Sequence, residues 1–215
     1  MSRLLNRDHS VQSASPETVK SPGSVRAAPR FRLEGKSIEP FRTSTEHCRF
    51  RLREDAQVAV PRRPRLAYRD VASATNRLTL IAAVLPADCV SLHTIFCLRT
   101  PLSPLGQYFL CGLFNSLVVN FLVRLRVTTH VTTATVERLP IPTADAAPGA
   151  FREIAALARL LSRRDDANAV ARLNASVAQL YQLSVEEFEH VLTTFPLVPK
   201  QARDEALKLF VQDQP

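Results

Sequence analysis

GQYFLCGLFNSLVVNFLVRL, residues 106–125, is a long apolar run whose reading decides the fold. It approaches the roughly 20 apolar residues that a bilayer span requires, yet it carries Gln107, Asn115, Ser116 and Asn120. Amides and hydroxyls are costly in hydrocarbon, whereas a protein interior can hydrogen-bond them. The run has no internal proline, is too long for one strand, and ends near Arg124 and Arg126, cations that suit the negative end of a helix dipole. It is read as one buried core helix, with a membrane span as the alternative.

Strand signals flank the run on its amino-terminal side. RLAYRDV (65–71) and LTLIAAVL (78–85) both read as strands, the second apolar enough to be buried on both faces, with a polar turn between them. CVSLHTIFCL (89–98) is rich in β-branched and aromatic residues and stops at Thr100 and Pro101, which places a third strand there. Farther upstream, FRLEGKSIEPF (31–41) is broken into short pieces, and CRFRLR (48–53) alternates apolar and basic side chains like a half-exposed strand.

On the other side, VTTHVTTATVERLPIP (127–142) returns to β-branched residues and predicts a strand showing threonine hydroxyls on one face. Helical periodicity follows a linker at 143–149. Phe151, Ile154, Ala155 and Ala158 form one stripe, and Val170, Leu173, Val177, Leu180 and Tyr181 form a second. Ser184 and Glu187 have capping-box spacing, and a last helix after Pro199 offers Ala206, Leu207 and Phe210. The expected fold is α+β: residues 31–142 form a mixed domain around a buried central helix, and 143–215 form a helical region. Residues 1–30, mixing Ser, Pro and Arg without apolar periodicity, read as a flexible basic segment.

The chain has 215 residues, 46% of them hydrophobic and 22% charged, an ordinary globular balance. Its net charge of +8 is unevenly placed. Lys and Arg number 15 against 7 acidic residues in positions 1–69, and 13 against 13 thereafter. An arginine-rich segment suits phosphate contact, because the guanidinium fork holds two oxygens at once. A solvated basic tail without a partner is the plainer alternative. Arg62, Arg63, Arg65, Arg69, Thr75, Asn76 and Arg77 lie beside the predicted strands and are the candidate DNA contacts. Arginine can read guanine edges, asparagine can read adenine edges, and any of them can hold a phosphate. The plainer readings are a local ion pair for Arg69 and Asp70 and a turn for Asn76.

Other chemistry is poorly supported. The five glycines are scattered, whereas an S-adenosylmethionine pocket uses a glycine-rich turn at a strand end, and no Asn-Pro-Pro-Tyr-like tetrapeptide occurs. Cys89, His93 and Cys97 recur every four residues, a metal-like spacing on a helix. On a strand, neighbours four residues apart stand about 13 Å from one another, too far to share an ion. Glu34-Gly35-Lys36 has the acid-x-Lys form of metal-dependent nucleases, but reads better as a surface loop. Ser116 lacks the glycine elbow that a triad with His130 would need. The four cysteines form no CxxC pair and no signal sequence leads the chain, so a reduced cytoplasm is expected.

Taken in order, GKSIEPF (35–41), RLAYRDVASATNRLTLIAAVLP (65–86), FNSLVVNFLVRLRV (114–127), VERLPIP (136–142) and VAQLYQLSVEEFEHVLTTFPLV (177–198) resemble the tail of large bacterial adenine-specific DNA methyltransferases of type IIG-like and phage-exclusion restriction-modification systems. The resemblance covers about residues 31–198. It implies a target-recognition domain followed by a helical tail, with double-stranded DNA as ligand. In intact relatives a domain upstream would bind S-adenosylmethionine and methylate adenine. Here that domain is missing and residues 1–30 do not resemble it. The expectation is therefore a chain with no cofactor and no catalytic residues of its own, either a recognition fragment or a subunit docking a separate methyltransferase.

Overall fold

The computed structural model describes residues 5–6, 32–44, 61–73, 75–98 and 102–214. The predicted strand at 48–53 and nearly all of the segment 1–30 lie outside them. The fold is α+β, as the sequence predicts. Its main sheet has the order β1 (Leu5–Asn6), β8 (Ile95–Leu98), β5 (Arg65–Arg69), β6 (Ala82–Leu85), with antiparallel neighbours throughout. Beside it lie the parallel pair β2 (Arg32–Leu33) with β7 (Val90–Ser91) and the hairpin β3 (Ile38–Glu39) with β4 (Arg42–Thr43).

The alternation of side chains along β5, β6 and β8 builds two cores, because successive residues of a strand point to opposite faces. Leu66, Tyr68, Ala82, Phe96 and Leu98 face the helices. Ala67, Ala83, Leu85, Ile95 and Cys97 face the other way, where Leu33 and Ile38 cover them. Tyr68 stacks on Phe96 at 5.4 Å and meets the edge of Phe114 at 6.4 Å, which joins sheet to helix.

The apolar run does not form one helix. It folds as α1 (Pro104–Asn115) and α2 (Leu117–Arg124), bent by 61° at Ser116, whose ψ of 154° leaves the helical region. Buried polar side chains account for the break. Ser116 Oγ donates to Leu113 O at 2.7 Å and accepts from Val119 N at 3.3 Å, capping both pieces. Asn120 Oδ1 accepts from Thr79 N and Leu80 N, both at 2.8 Å, while its Nδ2 donates to Phe114 O and Ser116 O. Asn174 Oδ1 accepts from Leu117 N at 2.8 Å. A straight helix could not offer its amides to these partners. Among the described residues no single helix is long and apolar enough to cross a membrane; the bent pair passes that test by length and composition only.

Two strands are shorter than expected. Residues 78–80 do not join the sheet, because Asn120 takes the N–H groups of Thr79 and Leu80; Ile81 O still accepts from Arg69 N at 3.0 Å, and β6 starts at Ala82. The third predicted strand divides at a turn through His93 and Thr94 into β7 and β8, which pair with different partners. The predicted threonine-rich strand is corrected further. Only His130 makes a bridge, to Val71, and Thr133–Glu137 form the short helix α3. Thr132 Oγ1 accepts from Thr135 N at 3.2 Å, and this local cap outweighs β-branched propensity.

Beyond the linker come α4 (Pro148–Leu161), α5 (Ala167–Leu180), α6 (Val185–Thr193) and α7 (Lys200–Gln212), with the Ser184–Glu187 capping box formed. Their buried faces share one core with the sheet, running from Phe41 to Phe210.

Candidate nucleic-acid interface

Arg62 and Arg63 precede β5 in the sequence PRRPR. The flanking prolines fix their own φ, and the two arginines between them are exposed in a bend. Neither makes an ion pair among the described residues. Arg65 and Arg69, at the two ends of β5, serve the fold. Arg65 Nε points at Cys97 Sγ (3.3 Å) and its Nη2 donates to Cys89 O (3.0 Å). Arg69 Nε donates to Ile38 O at 2.5 Å, fastening β5 to the β3–β4 hairpin. Burial pushes the Arg69 guanidinium below the usual arginine range, opposed by the negative charge of Glu39. The neighbouring Asp70 is buried and faces His130 Nδ1 at 3.3 Å.

Thr75, Asn76 and Arg77 are exposed in the loop between β5 and β6. Since β5 and β6 are antiparallel, with Arg65 opposite Leu85 and Tyr68 opposite Ala82, this loop lies at the far end of the hairpin from Arg62 and Arg63. The candidates therefore divide into two exposed groups at least about 13 Å apart, the length of a five-residue strand. The loop itself is ordered from inside. Ser73 and Thr75 join hydroxyls at 2.8 Å, and Asn76 N donates to Ser73 O at 3.1 Å. Arg124, which sequence reasoning assigned only to a helix end, donates to the carbonyls of Asn76 and Arg77 and to Thr194 O at 2.7 Å. Its guanidinium lies 3.8 Å from the centre of the Phe195 ring, and burial lowers its pKa.

A cleft of about 1290 Å³ opens between the PRRPR segment, the start of α1 and the end of α4. Arg62, Arg63 and Arg65 line one part, while Arg159 and Arg163 face in from the helical region; among the described residues no Asp or Glu lines it. Val84, Leu98 and Tyr108 form apolar wall. Arg159 and Arg163 were not singled out by the sequence. Their four-residue spacing, Arg159 on α4 and Arg163 just past its end, was visible in RLLSR, but nothing in it pointed to Arg62. A second, smaller groove of about 420 Å³ between α2 and α6 is apolar and edged by Glu186 and Glu187, which disfavours an anion there.

The remaining motifs have local roles. Cys89 Sγ donates to Pro86 O at 3.0 Å and Cys97 lies 3.3 Å from Ser91 Oγ, while His93 sits in the turn between β7 and β8. Among the described residues no three His, Cys, Asp or Glu side chains are grouped as metal ligands. Glu34 pairs with Lys36 at 3.2 Å and caps the 3-10 turn Gly35–Ser37. Ser116 is fully buried in its capping role. Comparison with protein-family models and with characterised proteins gave no match.

Proposed function

We propose that the chain is a double-stranded-DNA target-recognition module of an adenine-specific restriction-modification methyltransferase, with methyl transfer residing in a separate domain or subunit that binds S-adenosylmethionine. The observation that carries this reading is the pair of exposed groups at opposite ends of the β5–β6 hairpin. Arg62 and Arg63 stand at one end and Thr75, Asn76 and Arg77 at the other. Their separation is comparable with the roughly 12 Å width of the major groove, so the two ends can hold the two phosphate backbones that flank it. The uneven charge of the sequence and the ordered resemblance of its segments support the same reading. Base-edge contact falls to Asn76 and Arg77, which the Arg124 clamp holds in place from behind.

Fluorescence anisotropy of a labelled duplex, titrated across a salt series with heparin as competitor, tests the proposal. The expected result is binding that weakens steeply with salt and that prefers some duplex sequences to others. Absence of binding at low salt overturns it.

A further inference from the structure

We propose that the arginine cleft binds an unpaired nucleic-acid segment of a few nucleotides, as a site that shares Arg62 and Arg63 with one duplex-contacting end of the hairpin and extends from them to Arg159 and Arg163. The inference rests on the nucleic-acid reading above and adds the helical region to it. Cations rim the cleft on two sides, with Arg62 and Arg63 from the segment before β5, Arg159 from the last turn of α4 and Arg163 from the turn after it. Arg159 and Arg163 are both exposed, so two guanidinium groups are free to meet an anion from this side of the cleft. Other arginines of this region are already neutralised: Arg164 pairs with Asp166 and Arg42 with Asp165.

Charge alone would fit any polyanion, and the walls narrow the choice. Tyr108, Leu102 and Leu105 line the cleft and are partly or largely exposed. A duplex seals its base faces inside the stack and would leave such walls uncovered, whereas an unpaired strand offers its flat base faces to them. The cleft is also larger than the roughly 300–1,000 Å³ of a pocket for one small ligand, so several nucleotides have room. Gln107 supplies a polar contact. It lines the cleft at 9% exposure and its Nε2 reaches Leu102 O at 3.4 Å, but its Oε1 meets no donor among the described residues. A buried carbonyl oxygen in that state is unfavourable, which favours a turn of the side chain into the cleft, where an amino or imino group of a base satisfies it.

The test compares three labelled probes of about 10 nucleotides, within the usual site size of single-strand binders: a single strand, an abasic strand with the same phosphates, and a blunt duplex. Proteins are the intact chain and its Arg159→Glu/Arg163→Glu and Gln107→Leu variants, with thermal melting as the fold control. The intact chain is expected to bind the single strand about tenfold or more tightly than the abasic strand. The double arginine variant is expected to lose single-strand binding while keeping its melting temperature, because both side chains are exposed. Gln107→Leu is expected to weaken the single strand and leave the abasic strand unchanged. Equal binding of single and abasic strands, or displacement of the single strand by polyglutamate as readily as by unlabelled strand, overturns the inference. Duplex binding that persists beside an unaltered single-strand affinity in the arginine variant also overturns it and leaves the target-recognition reading standing. Single-strand binding that depends on Arg159 and Arg163 without any duplex binding has the opposite meaning.

Discussion

The side-chain amide of Asn115 grips both backbone polar groups of Ala82. Its Oδ1 accepts from Ala82 N at 3.1 Å and its Nδ2 donates to Ala82 O at 2.8 Å. It extends the ladder of β6 by one residue's worth of bonding, from a helix instead of a strand. Asn115 is buried, so Asn115→Ala takes the partner from Ala82 N, while Ala82 O keeps the bond donated by Phe41 N at 2.9 Å. At roughly 1–3 kcal/mol for an unsatisfied buried group, stability should fall by about 1–3 kcal/mol, measured by urea unfolding. Asn115→Asp retains the shape but loses the donor and buries a carboxyl whose folded pKa is raised. Its destabilisation should therefore grow as pH rises above the ordinary carboxylate value near ~3.9. A variant as stable as the parent at neutral pH would show that the grip is dispensable.

Gly112 sets how closely α4 approaches α1. A Cβ at this position would stand 2.6 Å from Ile154 Cγ2 and 3.3 Å from Ile154 O. The first distance is a clash with a stiff, β-branched side chain. Gly112→Ala should destabilise, because overpacking of about 1–3 kcal/mol opposes a helix-propensity gain of about 1 kcal/mol. Ile154→Ala alone opens a cavity. In the double variant the new methyl group occupies part of that cavity, so the combined loss should be smaller than the sum of the single losses. Additive losses would separate Gly112 from Ile154.

Much of this fold was legible because local pattern and tertiary environment agree. β5 alternates Leu66 and Tyr68 against Ala67, and the stripes of α4 and α5 repeat at helical spacing, as surfaces with one buried face must. The break at Ser116 was not legible. Its polar residues were conspicuous, but what bends the helix is the demand for partners by backbone atoms far away in sequence, Thr79, Leu80 and Ala82. At Thr132 the sequence held two competing local signals, β-branching and a helix cap, and periodicity could not rank them. The candidate site was half visible: the PRRPR cations stand out by composition, but Arg159 and Arg163 join them only through the packing of α4 on α1.

Cys111 gives the fold a pH dependence with a definite sign. Its thiol is fully enclosed, and burial pushes it up to about 12 from 9.0, partly offset by hydrogen bonding from Asn115. The unfolded thiol ionises first, so between roughly pH 9 and 12 the unfolded state binds fewer protons than the folded state. Stability must fall as pH rises through that window. Cys111→Ala should have a shallower decline there than the parent protein. In the folded state at pH 8 Cys111 should also resist N-ethylmaleimide, and it should react once urea is added, as peptide mass spectrometry would show. Labelling of Cys111 without denaturant would contradict its enclosure.

Arg62 and Arg63 should differ from Arg69 in kind. The first two are exposed and make no ion pair among the described residues, so replacing both with Gln should leave thermal stability unchanged. If each holds one phosphate, the slope of log affinity for duplex DNA against log salt should fall by about 2. Arg69 is committed to Ile38 O, where it ties two sheets together. Arg69→Met should lower the melting temperature and leave that slope unaltered in the fraction that stays folded. The strand itself enforces this division. Its exposed approach presents guanidinium groups to a ligand, while its paired interior uses the same chemistry to hold neighbouring backbone. A reduced slope in Arg69→Met with no loss of stability would move Arg69 from the fold to the DNA interface.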